Sequence, residues 1–354
     1  MELSRDDTRR TKGFAVLLMV FLHLFQRLDY GGLFTPLLYV AGKPLVFYIA
    51  LLADCCVAIF CFCSGYAQYV QYEKAPHGLY KSTLIRTGGV LLNYWIVVIL
   101  SACCGLLFGV ADVIPGSVGE FLRNFFLISK SYNGAWWFMF TYILLMLLSP
   151  LTNWITKHTP VWLLTAVSCI CFVAAHFGVE NSEWYAASSL QWFITQALLL
   201  LRSLFPYFCG CIFAKKRLYS KIKNYFSRYN RHAVNPMALV TILVLLVFHA
   251  FIRTSAVAPF TGVILIVAFN LISFGKVGKA IFGFFGKHAT NIWLTHMFFY
   301  VDRLGALVYK AKYPLLIFLL MLALTVLVSY CINFIYHPVL KIYNCLLRRE
   351  RRTV

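Results

Sequence analysis

Residues 315–338 read LLIFLLMLALTVLVSYCINFIYHP, 24 positions without one Asp, Glu, Lys or Arg. At 1.5 Å of rise per residue such a helix covers about 36 Å, more than the roughly 30 Å hydrocarbon core of a bilayer. Lipid offers an open backbone no hydrogen-bond partner, so the segment must cross it as a helix. Working outward, the same reading recurs near 13–30, 54–72, 86–109, 136–155, 160–178, 193–214, 236–253, 257–274 and 284–301, which with 315–338 predicts about ten spans. The composition agrees: 61% of the chain is hydrophobic and 12% charged, against roughly 45–50% and 25% in soluble domains, and the mean hydropathy is +0.76. The strict apolar–polar alternation of an outer-membrane barrel strand is not seen. The expected fold is an all-α integral membrane bundle, one membrane domain over residues 1–354, with neither linker nor repeat.

The formal charge of +20 is spread over helix ends rather than gathered on a soluble face. With the N-terminus in the cytoplasm, the inside segments 1–12, 73–86, 156–159, 215–235, 275–287 and 339–354 hold 23 of the 32 Lys and Arg. By the positive-inside rule both termini are expected in the cytoplasm, and the membrane is expected to be the cytoplasmic or inner one. The loop KKRLYSKIKNYFSRYNRH (215–232) reads as an orientation and lipid-contact element, and no nucleic-acid partner is expected. No cleavage site follows the first apolar run, so the first helix is expected to remain as an anchor. Residues 31–53, GGLFTPLLYVAGKPLVFYIALLA, are apolar but broken by Gly42, Lys43 and Pro44. They read as an outside interfacial or re-entrant segment, with an extra pair of helices as the alternative. Ten of the twelve cysteines lie in close pairs whose members point to different helix faces, so they read as packing residues, and no metal is expected.

An ionisable group inside a span is expensive and marks function unless it is hydrogen-bonded in the bundle. His23 stands mid-way along the first span. Lys12 lies eleven residues earlier, about three turns plus 20° and about 16 Å along the axis, so the two share a face. His296 stands about 13 Å beyond Lys287, at a depth close to that of His23. Arg202, amid leucines, needs an acidic or carbonyl partner or a ligand. Asp54 and Arg27 read as structural counter-ions or acceptor contacts. Trp136 and Trp137 offer either an interfacial aromatic belt or a platform for a sugar ring. Ser64 lacks a nucleophile elbow, and with Gly65 reads as close helix packing.

Several stretches resemble the acyltransferase 3 family, integral membrane enzymes that acylate cell-surface polysaccharides. KGFAVLLMVFLH (12–23) resembles its motif of a basic residue, ten positions and a histidine, with Lys12 where arginine is usual. CVAIFCFCSGYAQ (56–68), AWWFMFTYILLMLLSPL (135–151), LFPYFCGCIFAKK (204–216) and FGKHATNIWLTHMFF (285–299) follow in the family's order. One departure is plain: in LYKSTLIRTGG (79–89), Arg86 matches the second member of the family's arginine pair, Thr83 stands at the first, and Lys81 offers a substitute charge.

The resemblance implies an O-acyltransferase, foremost an O-acetyltransferase, moving an acyl group from cytoplasmic acyl-CoA to a hydroxyl of a glycan or lipid-linked sugar of the cell envelope. Acetyl-CoA is then the expected donor. His23 would be the catalytic base or acyl carrier, with His296 as a second polar member. Lys12, about one pantetheine length from His23, would hold donor phosphates together with Lys81 and Arg86. Arg202, Trp136 and Trp137 would meet the acceptor. The rival reading is a transporter whose pathway is lined by His23, Arg202 and His296.

Overall fold

Ser4 starts the first helix. Its Oγ accepts the Asp7 N–H at 3.0 Å while the Asp7 carboxylate takes the Ser4 N–H, also at 3.0 Å, a reciprocal capping box. In this computed structural model, which describes residues 2–76, 78–300 and 307–349, the helix that follows, α1, runs Arg5–Phe25 without interruption. Residues Tyr39–Val40 (β1) and Lys43–Pro44 (β2) form a two-residue antiparallel hairpin. Its turn needs positive φ at Ala41 and Gly42, which glycine adopts at no steric cost. Pro44 then opens α2 (Leu45–Leu52), and a 3-10 turn, Ala53–Cys55, carries the chain into α3 (Cys56–Lys74). The span expected to begin at residue 54 thus begins at Leu45, and only the first part of 31–53 lies outside it. After Pro44 no helix breaker interrupts the apolar run, and Asp54 falls in the 3-10 turn.

The remaining helices are α4 (Leu79–Leu107), α5 (Val118–Phe125), α6 (Trp137–Leu147), α7 (Ser149–His158), α8 (Val161–Glu180), α9 (Gln191–Lys215), α10 (Leu218–Phe226), α11 (Arg231–Phe251), α12 (Ala258–Leu271), α13 (Lys276–Thr295) and α14 (Pro314–Arg349). The chain is nearly all helix. Among the described residues six helical segments are long and apolar enough to cross a membrane: Leu45–Lys74, Leu79–Leu107, Val161–Glu180, Gln191–Lys215, His232–Phe251 and Pro314–Leu347. A seventh exists if α6 and α7 are one span broken at Leu148. The break falls just before Pro150, whose ring cannot continue a preceding turn. The other three expected spans are helical but fall short of that standard. Arg9, Arg10 and Lys12 load α1 with charge, α12 with its leading turn covers only Ser255–Leu271, and α13 carries Lys279, Lys287, His288 and Asn291. The expected ninth span ends at residue 301, which lies outside the described residues.

Cα packing divides the chain into two compact units. The first comprises Met1–Leu79, Leu148–Ala289 and Lys312–Pro314. Here α3 crosses α9 where Gly65 and Gly210 face each other's backbone: a Cβ on Gly65 would stand 2.0 Å from the Tyr207 carbonyl oxygen, and one on Gly210 2.1 Å from that of Phe62. This bears out the packing reading of Gly65. In the same way α1 meets α13, with Gly13 against Phe282 O and Gly286 against Arg9 O. The second unit comprises Tyr80–Leu147, Thr290–Ala311 and Leu315–Val354. Its core gathers Tyr94, Trp136, Met139, Leu294 and Ile332. Polar bonds hold it: Asn93 Nδ2 to Asn291 Oδ1 at 2.6 Å, Asn291 Nδ2 to Ser329 Oγ and Asn333 Oδ1 at 3.0 Å, and Trp95 Nε1 to Phe125 O at 3.0 Å. None of the twelve cysteines is bridged, and five of them are buried.

Candidate active site

Because α1 is unbroken, the register read from sequence holds: Lys12 and His23 lie on one face of one helix, about 16 Å apart along its axis. Gly13, next to Lys12, lets the backbones of α1 and α13 touch, and α1 packs against α3 and against the Ala53–Cys55 turn. His23 is part-buried, with Nδ1 2.9 Å from the Met19 carbonyl one turn back. A carbonyl only accepts, so this bond requires the proton on Nδ1 and makes Nε2 the lone-pair nitrogen of the neutral ring. At the Lys12 end, Arg10 pairs with Asp7. Burial alone would raise the Asp7 carboxyl, but hydrogen bonds from Ser4 and the Arg10 charge outweigh it and hold the group below its ordinary value.

His296, in the second unit, repeats the arrangement. Its Nδ1 donates to Trp293 O at 2.8 Å and lies 3.2 Å from Ile292 O, so Nε2 is again the basic nitrogen. It is fully buried and stands where α13 gives way to a 3-10 turn, His296–Phe299. Lys81 and Arg86 lie near the start of α4. Lys81 is exposed, while Arg86 folds back along its own helix, Nε to Ser82 O and Nη2 to Thr83 Oγ1, both at 3.2 Å. Trp136 is 2% exposed; its indole N–H donates to Leu294 O at 2.9 Å and its ring meets Tyr94, Tyr132 and Phe298. Trp137 beside it is part-buried.

Arg202 has the acidic partner its burial called for. Its Nη1 lies 3.7 Å from Glu180 Oε1, and its Nη2 donates to Ser255 Oγ at 2.7 Å. Glu180 reads as a loop residue in sequence, because the apolar run fades before it, but α8 extends far enough to deliver it. His176, one turn earlier, and Ser255 were not legible as neighbours. The only sequence signal is the four-residue spacing of His176 and Glu180. The first unit thus contains Lys12, His23 and Arg202, and the second contains Lys81, Arg86, Trp136, Trp137 and His296.

A family model described as an acyltransferase domain matches residues 10–334, from just before Lys12 to beyond His296. The chain belongs to the acyltransferase 3 family. Comparison with curated proteins and with solved structures returned no match. Membership in the acyltransferase 3 family, with six apolar helices of spanning length, marks a multi-pass membrane protein of acyltransferase type.

Proposed function

We propose that this protein is an O-acyltransferase, foremost an O-acetyltransferase, of the cytoplasmic or inner membrane, moving an acyl group from cytoplasmic acyl-CoA to a hydroxyl of a cell-surface glycan or lipid-linked sugar. The observation that carries the proposal is the family match over a chain in which Lys12 and His23 share one face of an unbroken helix. In this reading the chain is one membrane domain of about ten spans. The broken α6–α7 pair, α1, α12 and α13 join the six apolar segments, and both termini lie in the cytoplasm.

His23 acts through Nε2. It takes the proton of the acceptor hydroxyl as that oxygen bonds to the thioester carbon, the carbon–sulfur bond breaks, and the proton passes to the departing thiolate. Such acid–base help contributes about 10²–10⁴-fold. Lys12, with Lys81 and Arg86, supplies cations for the donor's phosphates, and no metal is called for. His296 is a second polar member of the site. Arg202 and Trp137 meet the acceptor, while Trp136 is held in the core by Leu294 O and its aromatic neighbours.

The deciding experiment incubates purified protein with radiolabelled acetyl-CoA and candidate glycans and follows label transfer and CoA release. Transfer by wild type, lowered about 10²–10⁴-fold in folded His23→Gln protein, is the expected result. Undiminished transfer by that variant would sink the role given to His23. Solute movement without CoA release would favour the transport reading.

A further inference from the structure

Arg202 is one member of a cluster drawn from four elements of the first unit. Besides its contacts to Ser255 and Glu180, Ser255 Oγ lies 3.5 Å from Glu180 Oε1, and that oxygen is 3.9 Å from His176 Nδ1. Asp54, in the turn between α2 and α3, is within electrostatic range of both Arg202 and Glu180. The His176 side chain is only 8% exposed, yet its Nδ1 has no hydrogen-bond partner among the described residues. Leaving a buried nitrogen unpaired is costly, so it points to a group that arrives from outside. Its ring stacks on Phe172, which packs against Phe205 and Phe260. Glu180 keeps 55% of its side chain exposed and Arg202 25%, so the cluster is open on one side.

The charges decide what fits. Glu180 sets a half-exposed carboxylate beside the Arg202 guanidinium and offsets its charge, and Asp54 adds a second acidic group within electrostatic range of both. The neighbouring cation, Arg253, is turned onto the Tyr48 ring and Ala250 O instead. Carboxylate acceptors, guanidinium and hydroxyl donors and an apolar floor are the groups that sugar hydroxyls need, few in number and convergent. An acidic ligand would meet like charge, which is costly and selects against it. A metal is not the better occupant, because among the described residues no group of three or more His, Cys, Asp and Glu converges as metal ligands would.

We infer that Asp54, His176, Glu180, Arg202 and Ser255 form a binding site for the hydroxyls of a neutral or amino sugar and select against glycans bearing uronic acid or phosphate. The inference rests on the proposed reading of the chain as a glycan acyltransferase, of which this cluster is the acceptor side.

The test is calorimetric binding of three oligosaccharides of matched length to the purified full-length protein at low salt: a chitooligosaccharide, a chitosan oligomer and an oligogalacturonate. The first two are expected to bind at least about tenfold more tightly than the third. Glu180→Gln keeps the shape and removes one charge, and should bring the oligogalacturonate to within about threefold. Ser255→Ala should weaken the chitooligosaccharide several-fold with the melting temperature unchanged. Equal binding of all three by wild type, binding of none, or discrimination that survives Glu180→Gln overturns the site. Label transfer measured in parallel separates the two readings. Transfer without discrimination overturns this site alone, whereas discrimination without transfer supports the site and overturns the acyltransferase reading.

Discussion

The tightest helix crossings of the first unit are backbone against backbone, at Gly65 with Gly210 and at Gly13 with Gly286, whereas in the second unit the close backbone approach, Gly105 to the Ile114 carbonyl, is made to a turn, and helices are tied by side-chain hydrogen bonds through Asn93, Asn291, Ser329 and Asn333. Lipid tails are as apolar as leucine, so helices gain little from burying leucine against each other. They hold together either by approaching closely enough for dispersion to accumulate or by exchanging hydrogen bonds. The first means tolerates no added carbon. The second fails by increments, one bond at a time.

The contrast is broken most directly at the α3–α9 crossing. Gly65→Ala or Gly210→Ala puts a methyl group about 2 Å from a carbonyl oxygen, and the obstacle is backbone that no rotamer change can clear. The cost should exceed the 1–3 kcal/mol usual for overpacking. Folded protein after detergent extraction, measured by fluorescence-detected gel filtration, should fall to a small fraction of wild type. Gly283→Ala on α13 meets nothing within 4 Å and should be neutral or slightly stabilising, since alanine is the better helix former. A Gly210→Ala protein with wild-type yield and melting temperature would refute the backbone-contact account.

The next largest effects fall on the two histidines, which share a ring geometry but differ in exposure. His23→Gln should lower turnover about 10²–10⁴-fold while donor binding persists. Lys12→Ala should instead raise the donor KM, with turnover recovered at high acyl-CoA, and Lys12→Arg should stay active. His296→Gln still offers an N–H for Trp293 O, so its loss should be closer to tenfold. If His296→Gln proves the more damaging of the two, the chemistry belongs to the second unit.

A smaller effect is expected from Asn291→Leu. Hydrogen bonds between membrane helices average about 0.6 kcal/mol and reach about 1.7. Losing the bonds to Asn93, Ser329 and Asn333 should therefore lower stability by about 2 kcal/mol, read as a melting shift of several degrees with the fold retained. An unchanged melting temperature would mean that packing, not the asparagine network, holds the second unit.

What could be read from sequence follows from how local each signal is. Hydropathy sums single residues over a window, so the six spanning segments were legible, and so was the Lys12–His23 register, which depends only on helix periodicity. The early start of the second span was not, because Lys43 and Pro44 mask the apolar run that follows them. The break at Leu148 had one cue, Pro150. The Arg202 cluster joins residues 54, 176, 180, 202 and 255, and no local pattern links α8, α9 and the turns before α3 and α12. Trp136 shows the reverse limit. Its composition suits a sugar platform or a membrane belt equally, and only the packing around it shows a core residue with its N–H already engaged.

The smallest effect lies at the start of α1 and asks whether the cap that opens the first unit is electrostatic. Asp7 closes the capping box with Ser4 and also pairs with Arg10, and its folded-state pKa lies below the ordinary 3.8. For a carboxyl so lowered, the stabilisation is fully present above the unfolded value and disappears as pH falls through the folded one. Asp7→Asn removes the charge but keeps the side chain's shape. At neutral pH the variant should melt a few degrees below wild type, consistent with about 1 kcal/mol for a helix N-cap. The gap should narrow as pH is lowered past 3.8 and close once Asp7 is protonated in the folded state as well. A gap that stays constant from neutral pH down to about pH 3 would show that the charge on Asp7 is not what stabilises the cap, leaving the Ser4 hydrogen bonds to do so alone.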